Sequence, residues 1–294
     1  MTGDLIGCDF SSSPSARKPI VVAYGAMAAG RVRLDGFERF HRLEDFGGWL
    51  SGGGDWVGGF DFPFGLAREL VLHLGWPVAW EACVRHFASL SRAEIRDLFA
   101  GFCSARPAGR KFAHRATDRP AGSSPSMKWV NPPVAFMMHA GVPLLIDAGV
   151  HLAGLRPEAL AEQNPQGRAR RVAVEAYPGM LARDVLGHRS YKSDDKAKQT
   201  APRRSARAAL LQALEAGATR VGLRLQTGAD LRESMVTDAS GDTLDAAICL
   251  LQAAWASRAG WPWFGLPPDL DPLEGWIVGA VAEAVVAPPL RPAQ

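Results

Sequence analysis

The spacing of apolar residues divides the chain into stretches of different character. DLIGCDF, PIVVAYGAMAAG and RVRLDGFERFH are short apolar or alternating runs, separated by the polar SSSPSARKP and by a glycine-bearing turn. β-branched enrichment in the second and alternation in the third predict three strands in a meander. FHRLEDFGGWL then predicts a short helix, and DWVGGFDFPFG a fourth strand with Asp61 at its far end. From Leu66 to about Gly154 the apolar period lengthens to three and four residues. LARELVLHLG, WEACVRHFASL and SRAEIRDLFAGFC read as helices, the third with Ser91 and Glu94 as a capping box. SARPAGRKFAHRATDRPAGSSPSMK is a polar, basic loop with no regular structure expected. VAFMMHAGVPLLIDAGV reads as a buried helix and turn, because His139, Pro143 and Asp147 argue against a membrane span. Residues 66–154 are therefore expected to form a helical insertion between core strands.

GRARRVAVEAYPGML returns to a strand pattern and reaches Glu175 just before Tyr177 and Pro178. A basic and then helical stretch follows, and GDTLDAAICLLQAAWAS predicts a helix. EGWIVGAVAEAV reads as a final strand. Strands and helices alternate in the core, so the expected class is α/β or α+β with a mixed sheet.

This pattern leaves a carboxylate at three strand ends, Asp9, Asp61 and Glu175, and two more, Asp242 and Asp245, on one face near a helix start. Strand ends along one edge of a sheet are where α/β proteins build sites. Converging acids repel unless a cation lies between them, and carboxylate oxygens suit Mg²⁺ or Mn²⁺. Two such ions roughly 4 Å apart can activate a water and stabilise a leaving oxygen in phosphodiester hydrolysis. Each acid also has a plainer role. Asp242 and Asp245 fit the start of a helix, Asp9 fits a turn with Ser11 and Ser12, and Glu175 fits a strand end. Asp61, between Phe60 and Phe62, fits a plain role least.

Composition excludes some classes. The 294 residues allow one large domain, and 47% apolar with 21% charged residues is ordinary for a globular protein. Cys8, Cys83, Cys103 and Cys249 are scattered, which fits a reducing cytoplasm better than a disulfide framework or zinc site. MTGDLIGCDF has no basic leader followed by an apolar run, and no membrane partner is expected. The seven histidines have no metal-ligand spacing. Ser124, Ser126 and Lys128 lack a nucleophile-elbow motif, and the tryptophans at 255, 261, 263 and 276 read as core packing.

IGCDFSSSP, GFDFPFGL, VEAYPGM, the following YK, and GDTLDAAICLLQAAWA with a later EGWIV occur in that order. Together they resemble domain-of-unknown-function family 429, proteins predicted to be nucleases of ribonuclease H-like fold. The resemblance spans nearly the whole chain. It implies one ribonuclease H-like domain over 1–294: a five-stranded mixed sheet flanked by helices, three antiparallel strands first, and a last helix carrying an acid. It also implies a divalent-metal site. Position by position, Asp9 matches the first-strand acid, Asp61 the fourth-strand acid, Asp245 the last-helix acid with Asp242 beside it, and Glu175 the acid of the E-x-Y-P motif. The expected catalytic set is Asp9, Asp61, Glu175 and Asp245. The expected ligands of Mg²⁺ or Mn²⁺ are Asp9, Asp61, Asp242 and Asp245. A homodimer is a further expectation, since junction-cutting relatives of the fold work as dimers.

Net charge is only +3, yet between Gln166 and Arg207 eleven basic residues stand against four acids. A phosphate backbone would be drawn to such a segment. Lys192, Lys196 and Arg203 are the expected phosphate contacts, Lys192 because a Y-K pair recurs in the family resemblance. A second basic loop, with Arg106, Arg110, Lys111, His114, Arg115 and Arg119, is a further candidate. The function expected is thus metal-dependent nuclease action on DNA or RNA. Two alternatives stand beside it. One is an ATPase or phosphotransferase related to actin and sugar kinases, although no phosphate-binding loop motif occurs. The other is a non-catalytic nucleic-acid-binding module.

Overall fold

The computed structural model describes residues 4–281. Its centre is β1 (Asp4–Asp9), buried at every position but its first, as a strand covered on both faces must be. β1 pairs antiparallel with β2 (Ile20–Ala28), and β2 antiparallel with β3 (Arg31–Phe40). Ala29 and Gly30 between them both have positive φ, 49° and 74°, the geometry of a two-residue hairpin turn that matches strand twist. β3 alternates buried and exposed residues along most of its length, the mark of a sheet face open to water. α1 (Leu43–Leu50) leads to β4 (Trp56–Phe60), which pairs parallel with β1 on its other side.

Five helices follow: α2 (Arg68–His73), α3 (Trp80–Ser89), α4 (Arg92–Ser104), α5 (Asp118–Ala121) and α6 (Val134–Asp147). The capping box at α4 is present, with Glu94 N donating to Ser91 Oγ and Ser91 N to Glu94 Oε2. The basic loop expected to be irregular contains the short α5 and, at Arg115, a fully buried side chain. β5 (His151–Leu152) then joins the sheet beside β6 (Arg171–Glu175), which is parallel to β4. The chain continues through α7 (Pro178–Leu186), α8 (Ala201–Ala216), β7 (Leu225–Gln226), α9 (Ala229–Thr237) and α10 (Asp242–Ala259).

The sheet order is β5-β6-β4-β1-β2-β3-β7, so among the described residues the sheet has seven strands rather than the five expected. The two additional strands are two-residue edge strands, too short to leave an alternating pattern. The final strand expected at EGWIVGAVAEAV is also absent where it is described. Glu274–Val281 forms turns with one isolated bridge, Ile277 to Glu175, and the rest of that stretch lies outside the described residues. Gly275 and Gly279 take φ of 72° and 82°, the left-handed region, which bends the chain out of extended conformation.

Two large hydrophobic clusters sandwich the sheet, and a smaller third one gathers Val172 and Val174 of β6 with Phe264, Leu266 and Trp276. Ile6 and Cys8 point into one large cluster with α1–α4 and α6, while Leu5, Val21 and Ala23 point into the other with α7, α8 and α10. α10 is buried nearly all round, as a helix packed on a sheet and covered by other helices requires. It approaches so closely because β1 and β4 offer glycines. A Cβ on Gly7 would lie 2.1 Å from Leu250 N, and one on Gly59 2.5 Å from Cys249 O. No described helix is long and apolar enough to cross a membrane, and the four cysteines are free and buried.

Candidate metal centre

The close seating of α10 on β1 and β4 determines where three acids meet. Asp9 is the last residue of β1, Asp61 follows the last residue of β4, and Asp245 lies in the first turn of α10. β1 and β4 are parallel, so their ends lie at the same edge, and Asp61 N donates to Cys8 O at 3.0 Å to hold them in register. Asp9, Asp61 and Asp245 each offer a carboxylate oxygen, and the three oxygens lie within 4.8 Å of one another. Asp9 and Asp245 are buried and Asp61 is half-buried.

The FDFPF run explains the placing of Asp61. Phe60, Phe62 and Phe64 are all buried in the core, with ring centroids 5.5–6.5 Å apart. Their burial leaves Asp61 to turn toward the other acids. Phe62 N donates to Phe60 O at 2.9 Å, so the backbone turns tightly at the aspartate. Phe64 N donates to Glu175 Oε2 at 3.0 Å, which fixes the far side of this turn.

Glu175 is not brought into the triad. It is buried in a bidentate pair with Arg115, whose Nη1 and Nη2 lie 2.7 Å from its two oxygens, and Arg115 also holds Asp118. Glu175, Arg115 and Asp61 all line one cleft of about 50 Å³. Arg115 entered the sequence reading only as one member of a basic loop. Its partner is 60 positions away, and no local pattern marks the pair.

Asp242 and Asp245 were also open to a capping role, but Asp238 performs it. Its Oδ2 accepts from Thr243 N at 2.9 Å and from Thr243 Oγ1 at 2.7 Å. Asp242 instead accepts from Lys18 Nζ at 2.7 Å, and Lys18 also reaches Asp194 at 3.0 Å. Asp242 is therefore beside the triad and not part of it. Asp245 accepts from Tyr191 Oη at 2.5 Å and from Lys192 Nζ. The Tyr191–Lys192 segment is held by Arg207, which donates to Tyr191 O at 2.7 Å and to Val236 O at 2.8 Å.

The electrostatics follow from this crowding. Burial first, then Asp242 and Asp245, push the Asp9 carboxyl well above its usual range. Burial likewise pushes Asp61 up to about 7; Asp245 and Glu175 add to this, and Lys192 and Lys18 oppose it. Burial works against the Lys192 charge, but Asp245, Tyr191, Asp9 and Asp61 outweigh it and hold the ammonium well above the usual lysine range. Among the described residues, protons and the ammonium groups of Lys18 and Lys192 offset the negative charge gathered here. A divalent cation with oxygen ligands suits such a donor set.

The other expected phosphate contacts lie elsewhere. Lys196 is exposed in a single turn at Lys196–Lys198, and Arg203 donates to Lys198 O at 2.5 Å. Much of the basic run is engaged internally. Arg170 pairs with Asp55 and Glu162, Arg171 with Glu162 and three carbonyls, Arg204 with Glu233, and Arg207 with the two carbonyls above.

No curated protein and no solved structure matched the chain. A family model described as "Protein of unknown function (DUF429)" matches residues 7–262, a span that contains all three converging aspartates. The chain belongs to this family, the one that its ordered motifs resemble.

Proposed function

We propose that the chain is a divalent-metal-dependent nuclease, hydrolysing phosphodiester bonds in nucleic acid on a ribonuclease H-like core. One observation carries this reading: Asp9, Asp61 and Asp245, from three separate elements, present oxygens within 4.8 Å of one another. Carboxylates this close repel strongly without a cation. Their oxygens suit Mg²⁺ or Mn²⁺, and such an ion would lower the pKa of a coordinated water and offset charge at a phosphate. The five long strands support the core assignment, with β1–β3 antiparallel, β4 and β6 parallel to β1, and acids on the last long helix.

The chain's own groups divide the work. Asp9, Asp61 and Asp245 would hold the ion. Tyr191 and Lys192 orient Asp245, one on each oxygen. The Lys192 side chain is 41% exposed, so it can face an incoming phosphate while keeping its carboxylate contact. Lys18 neutralises Asp242, and Glu175 with Arg115 holds the turn that carries Asp61.

The test is cleavage of labelled DNA and RNA, single-stranded, duplex and branched, with and without Mn²⁺. Asp61→Asn should lower Mn²⁺-dependent cleavage on the order of 100-fold or more while still folding to a cooperatively melting protein. Undiminished cleavage by that variant would sink the proposal.

A further inference from the structure

The insertion between β4 and β6 carries a groove of about 660 Å³ whose lining includes Arg106, Arg110, Lys111, His114, Arg115 and Arg119, with Glu69 as its one acid. Two of these cations are already satisfied. Arg106 pairs with Glu69 and lies over the Phe102 ring, and Arg115 is buried against Asp118 and Glu175. Arg110, Lys111 and Arg119 are exposed, and among the described residues none of their side chains has an ion-pair partner. The hollow next to Arg119 also contains Asp269, Asp271 and Glu274, of which Asp271 is paired with Arg68, whereas Arg110 and Lys111 do not line it.

We infer that this groove is the nucleic-acid-binding track of the protein, with Arg110, Lys111 and Arg119 contacting successive backbone phosphates. The inference rests on the nuclease reading for its partner, but on separate residues for its argument. Cations without ion-pair partners that line one concave surface attract a chain of phosphates more than a scattered set does. The groove is also one side chain from the acid cleft, because Arg115 lines both. The basic run at 166–207 is the weaker candidate, since Arg170, Arg171, Arg204 and Arg207 are engaged within the protein. The inference therefore moves the main phosphate contacts from that run to the insertion.

The experiment is fluorescence anisotropy in EDTA over a salt series, with fluorescein-labelled duplex DNA and single-stranded RNA as probes. The proteins are the full chain, the triple variant Arg110→Ala/Lys111→Ala/Arg119→Ala, and a control Arg31→Ala/Arg39→Ala on β3. Each lost phosphate contact removes about 0.9 from the slope of log K against log salt on duplex, and about 0.7 on a single strand. The triple variant should bind more weakly with a slope smaller by about two to three on duplex. The β3 control should keep the wild-type slope. The inference is overturned by an unchanged slope in the triple variant, by an equal loss in the β3 control, or by no binding of either probe to the wild type. Mn²⁺ calorimetry on the same triple variant separates the two readings, because the groove can fail while the metal site still binds, and the reverse.

Discussion

At the scale of single residues, Asp61 and Glu175 look alike in sequence and differ in their surroundings. Asp61 has no cation in direct contact among the described residues, and burial lifts its pKa to about 7, whereas an unfolded aspartate titrates near 3.9. Between about pH 4 and 7 the metal-free folded state therefore holds a proton that the unfolded state has lost. Its contribution to stability falls as pH rises through that window. Melting temperatures in EDTA should show this decline, and Asp61→Asn should make it shallower. Mn²⁺ affinity should rise over the same window as the ion displaces the proton. An Asp61→Asn protein with the wild-type pH profile of melting would contradict this account. Glu175 has Arg115 instead. Glu175→Gln leaves a buried guanidinium short of a charge partner, a loss of about 3–5 kcal/mol in urea unfolding. A purely catalytic Glu175 would leave stability near wild type. Sequence could locate both acids at strand ends, because strand periodicity placed them there. It could not separate them, because Arg115 lies in a loop of several basic residues, among which Arg110, Lys111 and Arg119 are exposed, and no local pattern marks it.

At the scale of elements, the convergence of the three aspartates depends on α10 lying directly on β1 and β4. Gly7→Ala would force a methyl group against the Leu250 and Ala246 backbone. Overpacking of this kind costs about 1–3 kcal/mol, and it should also lift Asp245 from Asp9 and weaken Mn²⁺ binding. Unfolding and calorimetry on the variant check both parts. Asp238 holds the start of the same helix. Burial disfavours its charge, but hydrogen bonds from Ser240, Thr243 and Gly241 outweigh this and keep its pKa below the usual aspartate value. Its contribution is present above the unfolded pKa and lost as pH falls through the lower folded value. Asp238→Ala should cost about 1 kcal/mol at neutral pH, with the difference from wild type shrinking in acid. Most long elements, though not the nine-residue helices α7 and α9, were legible because each had a full period of apolar residues, and the α4 capping box because Ser91 and Glu94 have the required spacing. β5 and β7 were not, at two residues each. The stretch after Glu274 reads as a strand by its apolar content, but two left-handed glycines bend it.

At the scale of the molecule, a sheet with a core on each face presents its acids at one end, and the insertion sets a basic groove beside them. The acid site was largely legible, since strand ends and one helix face suffice to propose convergence. Charge density along a sequence does not show which guanidiniums have internal partners, as Arg170, Arg171, Arg204 and Arg207 do. The central claim is that Asp9, Asp61 and Asp245 form a divalent-cation site. Calorimetric titration of Mn²⁺ into the wild type and Asp61→Asn tests it most directly. The account predicts saturable binding by the wild type that is lost or greatly weakened in the variant. Equal binding by both proteins, or none by the wild type, would contradict it.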